Sequence, residues 1–293
     1  MNVAIYARKI AKNDIPFFEL FLKRMEELHW NIIVEKEFYE QLKITLSLKK
    51  KYQIFTSHTD FYSGIDLAIS IGGDGTFLQC VAYVRASGVP VLGINTGRLG
   101  FLADTNTSDF ELTIEKILKK KYTHQKRTLI KVETEENIFE DQNFALNELA
   151  VHKKDNSSMI IIEAYLDNDY LNSYWADGLL VGTPTGSTAY SLSCGGPIIS
   201  PGSGVLFLTP IAAHNLNVRP LIVPDKLPIK LKTMGRERNF LMTLDSRSKT
   251  VKTGTEIIIT KADFDVNLIK LSENDFFTTI RNKMMWGIDQ RNE

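Results

Sequence analysis

Cysteine is nearly absent: Cys80 and Cys194 are the only two in 293 residues, far apart and in no CxxC or Cys/His spacing, which leaves neither a disulfide framework nor a zinc site. No apolar run reaches the roughly 18 residues needed to cross a bilayer as a helix. Met1-Asn2-Val3-Ala4-Ile5 leads into a strand without a basic n-region or cleavage site, so the expected location is cytoplasmic, with no membrane partner. Charge of one sign is missing too. Thirty-five Lys and Arg balance thirty-five Asp and Glu, and no global positive field exists to hold a nucleic-acid backbone. The chain also lacks internal repeats, low-complexity linkers and the GxxxxGK[ST] pattern of a Walker loop.

What is present is ordinary globular material, 43% hydrophobic and 24% charged, enough for two cores. Asn2–Tyr6 reads as a strand, and Asp14 then caps a helix with Phe17, Phe21, Met25 and Leu28 on one face. Asn31–Val34 and Ile65–Ile71 read as further strands, the latter apolar enough to be buried on both sides of a parallel sheet. Phe77, Cys80, Val81 and Val84 give helical spacing up to Gly88, a C-cap, and make Cys80 a buried structural thiol. Val89–Ile94 returns as a strand, and Ser108 to Glu111 is a capping-box pattern opening a helix through Ile114, Ile117 and Leu118. Beyond Arg127 the period changes to that of strands: a hairpin over Met159 to Tyr170 and onward, then 229–232, 240–244, 256–260 and 266–271. Phe276, Phe277, Ile280 and Met284 restore helical spacing, so the tail is expected to pack on the first domain and make the β-rich part an insertion.

The chemistry concentrates after the third strand, where Gly72, Gly73 and Gly75 surround Asp74 ahead of Thr76. Glycines let backbone N–H groups close on an anion, and a helix N-terminus adds partial positive charge, so a phosphate chain is the natural ligand. An aspartate there repels phosphate unless it accepts a hydroxyl proton or holds a cation. From spacing alone Asp74 serves equally as a helix cap or as a chemical group. Asn147-Glu148 offers an amide and a carboxylate to a ribose diol, or is a solvated strand end. Thr183 to Ser191 is rich in hydroxyls and glycine and suits a flat polar base, with Tyr190 available to stack.

Gly72-Gly73-Asp74-Gly75-Thr76 resembles the signature of NAD kinases and, more loosely, of phosphofructokinases and lipid kinases. The segment Asn95 to Leu102, the pair Asn147-Glu148, Asp177-Gly178 and Thr183-Pro184-Thr185-Gly186-Ser187-Thr188-Ala189-Tyr190-Ser191 are similar to NAD-kinase segments in the family's order. The likeness spans positions 72 to 191 and extends through Pro210 to Pro224, with His214 and Arg219-Pro220, while Asp245 and Arg247 match only weakly and receive no role.

The resemblance implies a kinase that moves the γ-phosphoryl group of ATP, with Mg²⁺ or another divalent cation on the triphosphate, to the adenosine-ribose 2′-hydroxyl of NAD. Asp74 would take the proton, and Gly72, Gly73, Gly75 and Thr76 would hold phosphates. Asn147 and Glu148 would take the ribose, and Asp177 the amide end of the dinucleotide as a buried carboxylate accepting N–H bonds. Thr188, Ala189, Tyr190, Ser191 and Ala212 would surround the dinucleotide, and His214 would line the pocket without acting as a base. The implied fold is α/β: a Rossmann-like domain, 1–104 with 272–293, and a β-rich, sandwich-like domain, 105–271, the last helix returning to the first. The dinucleotide would lie between them, and a homodimer or homotetramer is implied. Exposed aromatics at Tyr174-Trp175 would suit that interface. A sensor that had lost turnover would carry a damaged GGDGT, and a lipid or sugar-phosphate kinase would lack Asn147-Glu148 and the 183–191 segment; here all three are intact.

Overall fold

A computed structural model describes residues 1–48, 50–62, 64–97, 100–154, 159–215, 217–235, 238–271 and 276–285. The chain forms two compact units, one of Met1–Lys126 with Val266–Glu293 and one of Arg127–Asp265.

The first unit is α/β. Its parallel strands run in the order Gln53–Phe55, Asn31–Glu35, Asn2–Ala7, Leu67–Ile71 and Val91–Asn95. Leu67–Ile71 is buried at every position, as its unbroken apolar run requires of a strand covered on both faces. Helix Ile15–Glu27 buries Phe18, Phe21, Leu22 and Met25, so its inward stripe is centred one residue from the expected one, and Phe17 and Leu28 sit at its partly buried margin. Phe21 is fully buried and stacks on Phe110 at 5.2 Å, so Phe21→Ala should cost about 3–5 kcal/mol.

That contact ties a further helix to the first unit. Phe110, Ile114 and Ile117 of helix Phe110–Leu118 belong to the first core, within the compact unit that runs to Lys126. The capping box of this helix does not form. Ser108 lies in a 3-10 turn with its hydroxyl on Asp109, and Glu111 pairs with Arg24 at 3.1 Å.

Helix Asp74–Val84 buries Phe77, Cys80, Val81 and Val84, then closes through a 3-10 turn to Gly88 in the left-handed region (φ 75°). Burial pushes the Cys80 thiol up to about 12, which makes it inert as a nucleophile. At the tail, helix Phe276–Met284 forms but buries only Thr279 and Ile280, leaving Phe277 60% exposed. Of the expected returning segment 272–293, the residues 272–275 and 286–293 lie outside the described ones.

The second unit is β-rich. One sheet has the antiparallel order Leu221–Pro224, Val205–Ile211, Gly178–Gly182, Glu148–Lys153, Asn239–Leu244, Arg247–Lys252. A second group pairs Asp169–Ala176, Ile160–Leu166, Ile229–Met234 and the start of Glu256–Lys270. The expected hairpin turns tightly at Asp167 and Asn168, both at positive φ (50° and 72°), where Asn and Asp are the tolerated non-glycine residues. Tyr174 points into the core at 3% exposure and only Trp175, at 46%, faces outward, as alternation demands.

The strands read as 256–260 and 266–271 are one strand, Glu256–Lys270, which carries the chain out of the second unit. Lys261 to Asp265 interrupts the apolar pattern but contains no glycine or proline, and Lys261 is held by Asp225 at 2.8 Å. Polarity there marks solvent, not a bend.

Candidate active site

In the first unit, Gly72 leaves the end of strand Leu67–Ile71 at φ 145°, where a Cβ would sit 2.5 Å from the Thr76 hydroxyl oxygen. Its N–H is taken by Ile94 O (2.8 Å), and that of Thr76 by Gly73 O (2.9 Å). Gly73 and Gly75 are exposed, and a Cβ on either would meet nothing within 4 Å. The turn therefore offers an anion the exposed backbone at Gly73, Asp74 and Gly75, where a helix start leaves its N–H groups without intrahelical acceptors. The N–H groups of Gly72 and Thr76 are already taken within the turn.

Asp74 is the first helical residue, the N-cap is Gly73, and no side chain caps the helix. Its carboxylate is held from another direction: Phe101 N–H donates to Oδ2 (2.9 Å), and Leu102 and Ala103 N–H both donate to Oδ1 (3.0 Å each). These donors fill Oδ1, whereas Oδ2 has one donor among the described residues and a lone pair to offer. The donating segment is itself built by Asn95, whose Oδ1 accepts Gly97 N–H (2.7 Å) and whose amide donates to Ala103 O (3.3 Å). At Gly100 a Cβ would lie 1.8 Å from Asp74 Oδ1, so the approach requires glycine. Arg98 and Leu99 of this segment lie outside the described residues.

In the second unit, Asn147 and Glu148 are each only 8% exposed, which removes the reading as a solvated strand end. Their backbone is gripped by Asp245, which takes Leu146 N–H on Oδ2 (2.9 Å) and Asn147 N–H on Oδ1 (2.8 Å). Glu148 Oε2 is buried without a hydrogen-bond partner among the described residues. Burial, with the Asp245 charge adding to it, pushes the Glu148 carboxyl up to about 8. Burial pushes Asp245 upward as well, against the pull of the N–H donors and of Arg247.

Thr183 joins the glycine-rich segment to this pair: its N–H bonds Asn147 O (2.9 Å) and its hydroxyl donates to Leu146 O (2.5 Å). A Cβ on Gly186 would meet Asn147 O at 2.3 Å, so this close approach also needs glycine. Thr188 and Ala189 are partly buried, and Tyr190 is 46% exposed with its hydroxyl pushed up by burial and by the nearby Cys194 and Asp177. Ser191 is fully buried and hydrogen-bonded to Thr209 (2.9 Å), which makes it a support of the segment.

The Asp177 carboxylate, 34% exposed, pairs with Lys153 Nζ at 2.7 Å. Ala212 holds φ 46°, an uncommon value for a residue with a Cβ, next to the end of strand Val205–Ile211. His214 donates its backbone N–H to Trp175 O (2.8 Å) and lines an open groove of about 760 Å³ with Asn172, Tyr174 and Arg219.

Residues 4–122 match the family model for the ATP-NAD kinase N-terminal domain, and residues 146–271 the one for the ATP-NAD kinase C-terminal domain. The NAD kinase of Flavobacterium psychrophilum is 46% identical over 294 residues, covering 100% of both chains. That of Cytophaga hutchinsonii is 42% identical, again over 100% of both. The chain belongs to the NAD kinase family. The fold agrees: the crystal structure of yeast NADH kinase complexed with NADH matches at a TM-score of 0.87 and 24% identity, over 100% of this chain and 90% of that one. An NAD kinase from Archaeoglobus fulgidus in complex with ATP matches at a TM-score of 0.74 and 24% identity, over 97% and 99%.

For an NAD kinase, the residues that sequence reasoning under-read are those that hold the motif residues. Asp245 reaches Asn147 across 98 positions, and the Phe101 to Ala103 backbone reaches Asp74 with N–H groups that every residue but proline possesses. No side-chain pattern announces either. Among the described residues no group of three or more His, Cys, Asp or Glu converges as a metal cage, and no helix is long and apolar enough to cross a membrane.

Proposed function

We propose that the chain transfers the γ-phosphoryl group of ATP to the adenosine-ribose 2′-hydroxyl of NAD, giving NADP and ADP, with Asp74 as the proton acceptor. The observation that carries this reading is the Asp74 carboxylate, free of any capping duty and fixed by three backbone N–H groups beside an open glycine turn. In the transfer the ribose oxygen forms a bond to phosphorus, the bond from phosphorus to the ADP oxygen breaks, and the hydroxyl proton passes to Asp74 Oδ2. A carboxylate is a weak base for an alcohol. In a loose phosphoryl-transfer transition state the proton leaves late, so position counts for more than basicity.

Gly73 and Gly75 receive the phosphates, and Gly72 and Thr76 keep their turn open. Asn147 and Glu148 receive the ribose diol. A carboxyl with a raised pKa both donates and accepts, and the unpartnered Glu148 Oε2 is an atom that a hydroxyl would satisfy. Thr188, Ala189 and Tyr190 face the dinucleotide with Ser191 behind them, Asp177 takes its amide end, and the backbone at Ala212 lines the pocket. Mg²⁺ or another divalent cation would be carried on the triphosphate and neutralise charge on the phosphoryl oxygens. A cytoplasmic location and a homodimer or homotetramer complete the reading; exposed Trp175, Leu221 and Ile222 support self-association.

The test is NADP formation by the purified chain from NAD, ATP and Mg²⁺, coupled to an NADP-specific dehydrogenase. Signal is expected. Dinucleotide binding in a thermal-shift assay without any NADP would replace this reading with that of a sensor.

A further inference from the structure

Helix Phe276–Met284 brings one cation to the Asp74 site. Lys283 Nζ lies 4.4 Å from the centre of the Phe101 ring, and Phe101 is the residue whose N–H is bound to Asp74 Oδ2. A phenyl face holds an ammonium in place without neutralising it. Among the described residues no carboxylate lies within ion-pair distance of Lys283, whereas Lys270 is paired with Asp104 and Lys261 with Asp225. The ammonium feels the Asp74 charge at longer range, and partial burial disfavours its charged form. An anchored, unneutralised cation beside a glycine turn built for phosphate has one evident complement. It also answers a difficulty in the site, since Asp74 by itself repels the phosphates it must meet.

Resting on the reading above, we propose that Lys283 is a donor-contacting residue of this kinase, its ammonium meeting the oxygens of the transferring γ-phosphoryl group. The tail helix acts as a carrier of charge, which explains why it presents Lys283 to Phe101 while burying little beyond Thr279 and Ile280.

The experiment compares wild type, Lys283→Met and Lys283→Arg. Methionine keeps the stem on Phe101 and removes the charge; arginine keeps a charge. For Lys283→Met the expected result is a fall in kcat/KM for ATP of about 10- to 100-fold, the range of one charged hydrogen bond, with KM for NAD within about twofold and an unchanged melting temperature. Lys283→Arg should recover much of the loss. Calorimetric binding of ATP·Mg²⁺ to the same three proteins gives the comparison without turnover and should show weaker binding to the methionine variant alone. ATP affinity and kcat/KM within about twofold of wild type in Lys283→Met would overturn the proposal. So would a loss that follows a lowered melting temperature and that arginine does not restore. A wild-type chain that binds ATP but forms no NADP would instead overturn the kinase reading, leaving the Lys283 contact to be judged by the binding data.

Discussion

Asp245 holds Asn147 by its main chain: the buried carboxylate takes Asn147 N–H at 2.8 Å and Leu146 N–H at 2.9 Å, from a residue itself at φ 50°. The residues that meet the ribose in the proposed reaction are thus placed by a side chain from the other end of the second unit. Asp245→Ala removes both acceptors and leaves buried N–H groups unpaired, at a cost of roughly 2–3 kcal/mol. A lower melting temperature and a raised KM for NAD, with KM for ATP unchanged, are expected from calorimetry and initial rates. Equal increases in both KM values would contradict the placement role.

Asp74→Asn separates chemistry from architecture. The amide oxygen keeps the N–H bonds of Leu102 and Ala103, while the amide nitrogen faces the Phe101 donor, so the fold should survive with a slightly lowered melting temperature. Turnover should fall about 10²- to 10⁴-fold, the usual range for losing a general base. Near-normal turnover in this variant would sink the assignment of Asp74 as proton acceptor.

Gly100→Ala tests the same group without touching it. A Cβ 1.8 Å from Asp74 Oδ1 forces the carboxylate to move, and displacement of a reacting group by about 1 Å can cost on the order of 100-fold. The expected outcome is a folded protein by circular dichroism with most turnover gone. Full activity would mean that the position of Asp74 tolerates more than this geometry implies.

The sign of a pH effect follows from Glu148. Its folded pKa, about 8, lies above the ordinary 4.5, so the folded chain binds the extra proton; stability from this group is complete at low pH and is lost as pH rises from near 4.5 through about 8. Glu148→Gln has no charge to bury. Melting temperatures should therefore favour the glutamine variant increasingly from pH 5 to pH 9, and a difference that shrinks over that range would refute the shift.

Chelation should act on turnover alone. With the divalent cation carried by the nucleotide, EDTA is expected to abolish NADP formation while the melting temperature of the ligand-free protein stays within about 1 °C. A large fall would reveal a resident structural ion.

Strand Leu67–Ile71, the glycine turn and the 183–191 segment were legible in the sequence because each is a local pattern: unbroken apolar residues, glycines around an acid, a run of hydroxyls. The whole α/β-then-β architecture follows from the change of period near Arg127. What local pattern could not carry was contact order. Phe110 reads as the start of a helix until Phe21 is seen against it, the Lys153 partner of Asp177 lies on another strand, and strand Glu256–Lys270 hides its continuity behind solvated charges. Helix ends were also misjudged, since the 3-10 turn over Thr107–Asp109 displaces a capping box that the letters spell correctly.

The strand Glu256–Lys270 has a consequence for synthesis. Leu268 pairs with Val91, yet Val266–Glu293 leaves the ribosome only after the entire second unit, Arg127–Asp265, has been made. That interval is roughly 140 residues, on the order of 10 s of translation. Until it ends, the Val91 end of strand Val91–Asn95 lacks this neighbour, whereas the Asn95 end, from which the segment that grips Asp74 departs, already has Thr105–Asn106 beside it. Nascent chains are therefore most exposed to misassembly at the Val91 end of that strand, the end away from the glycine turn.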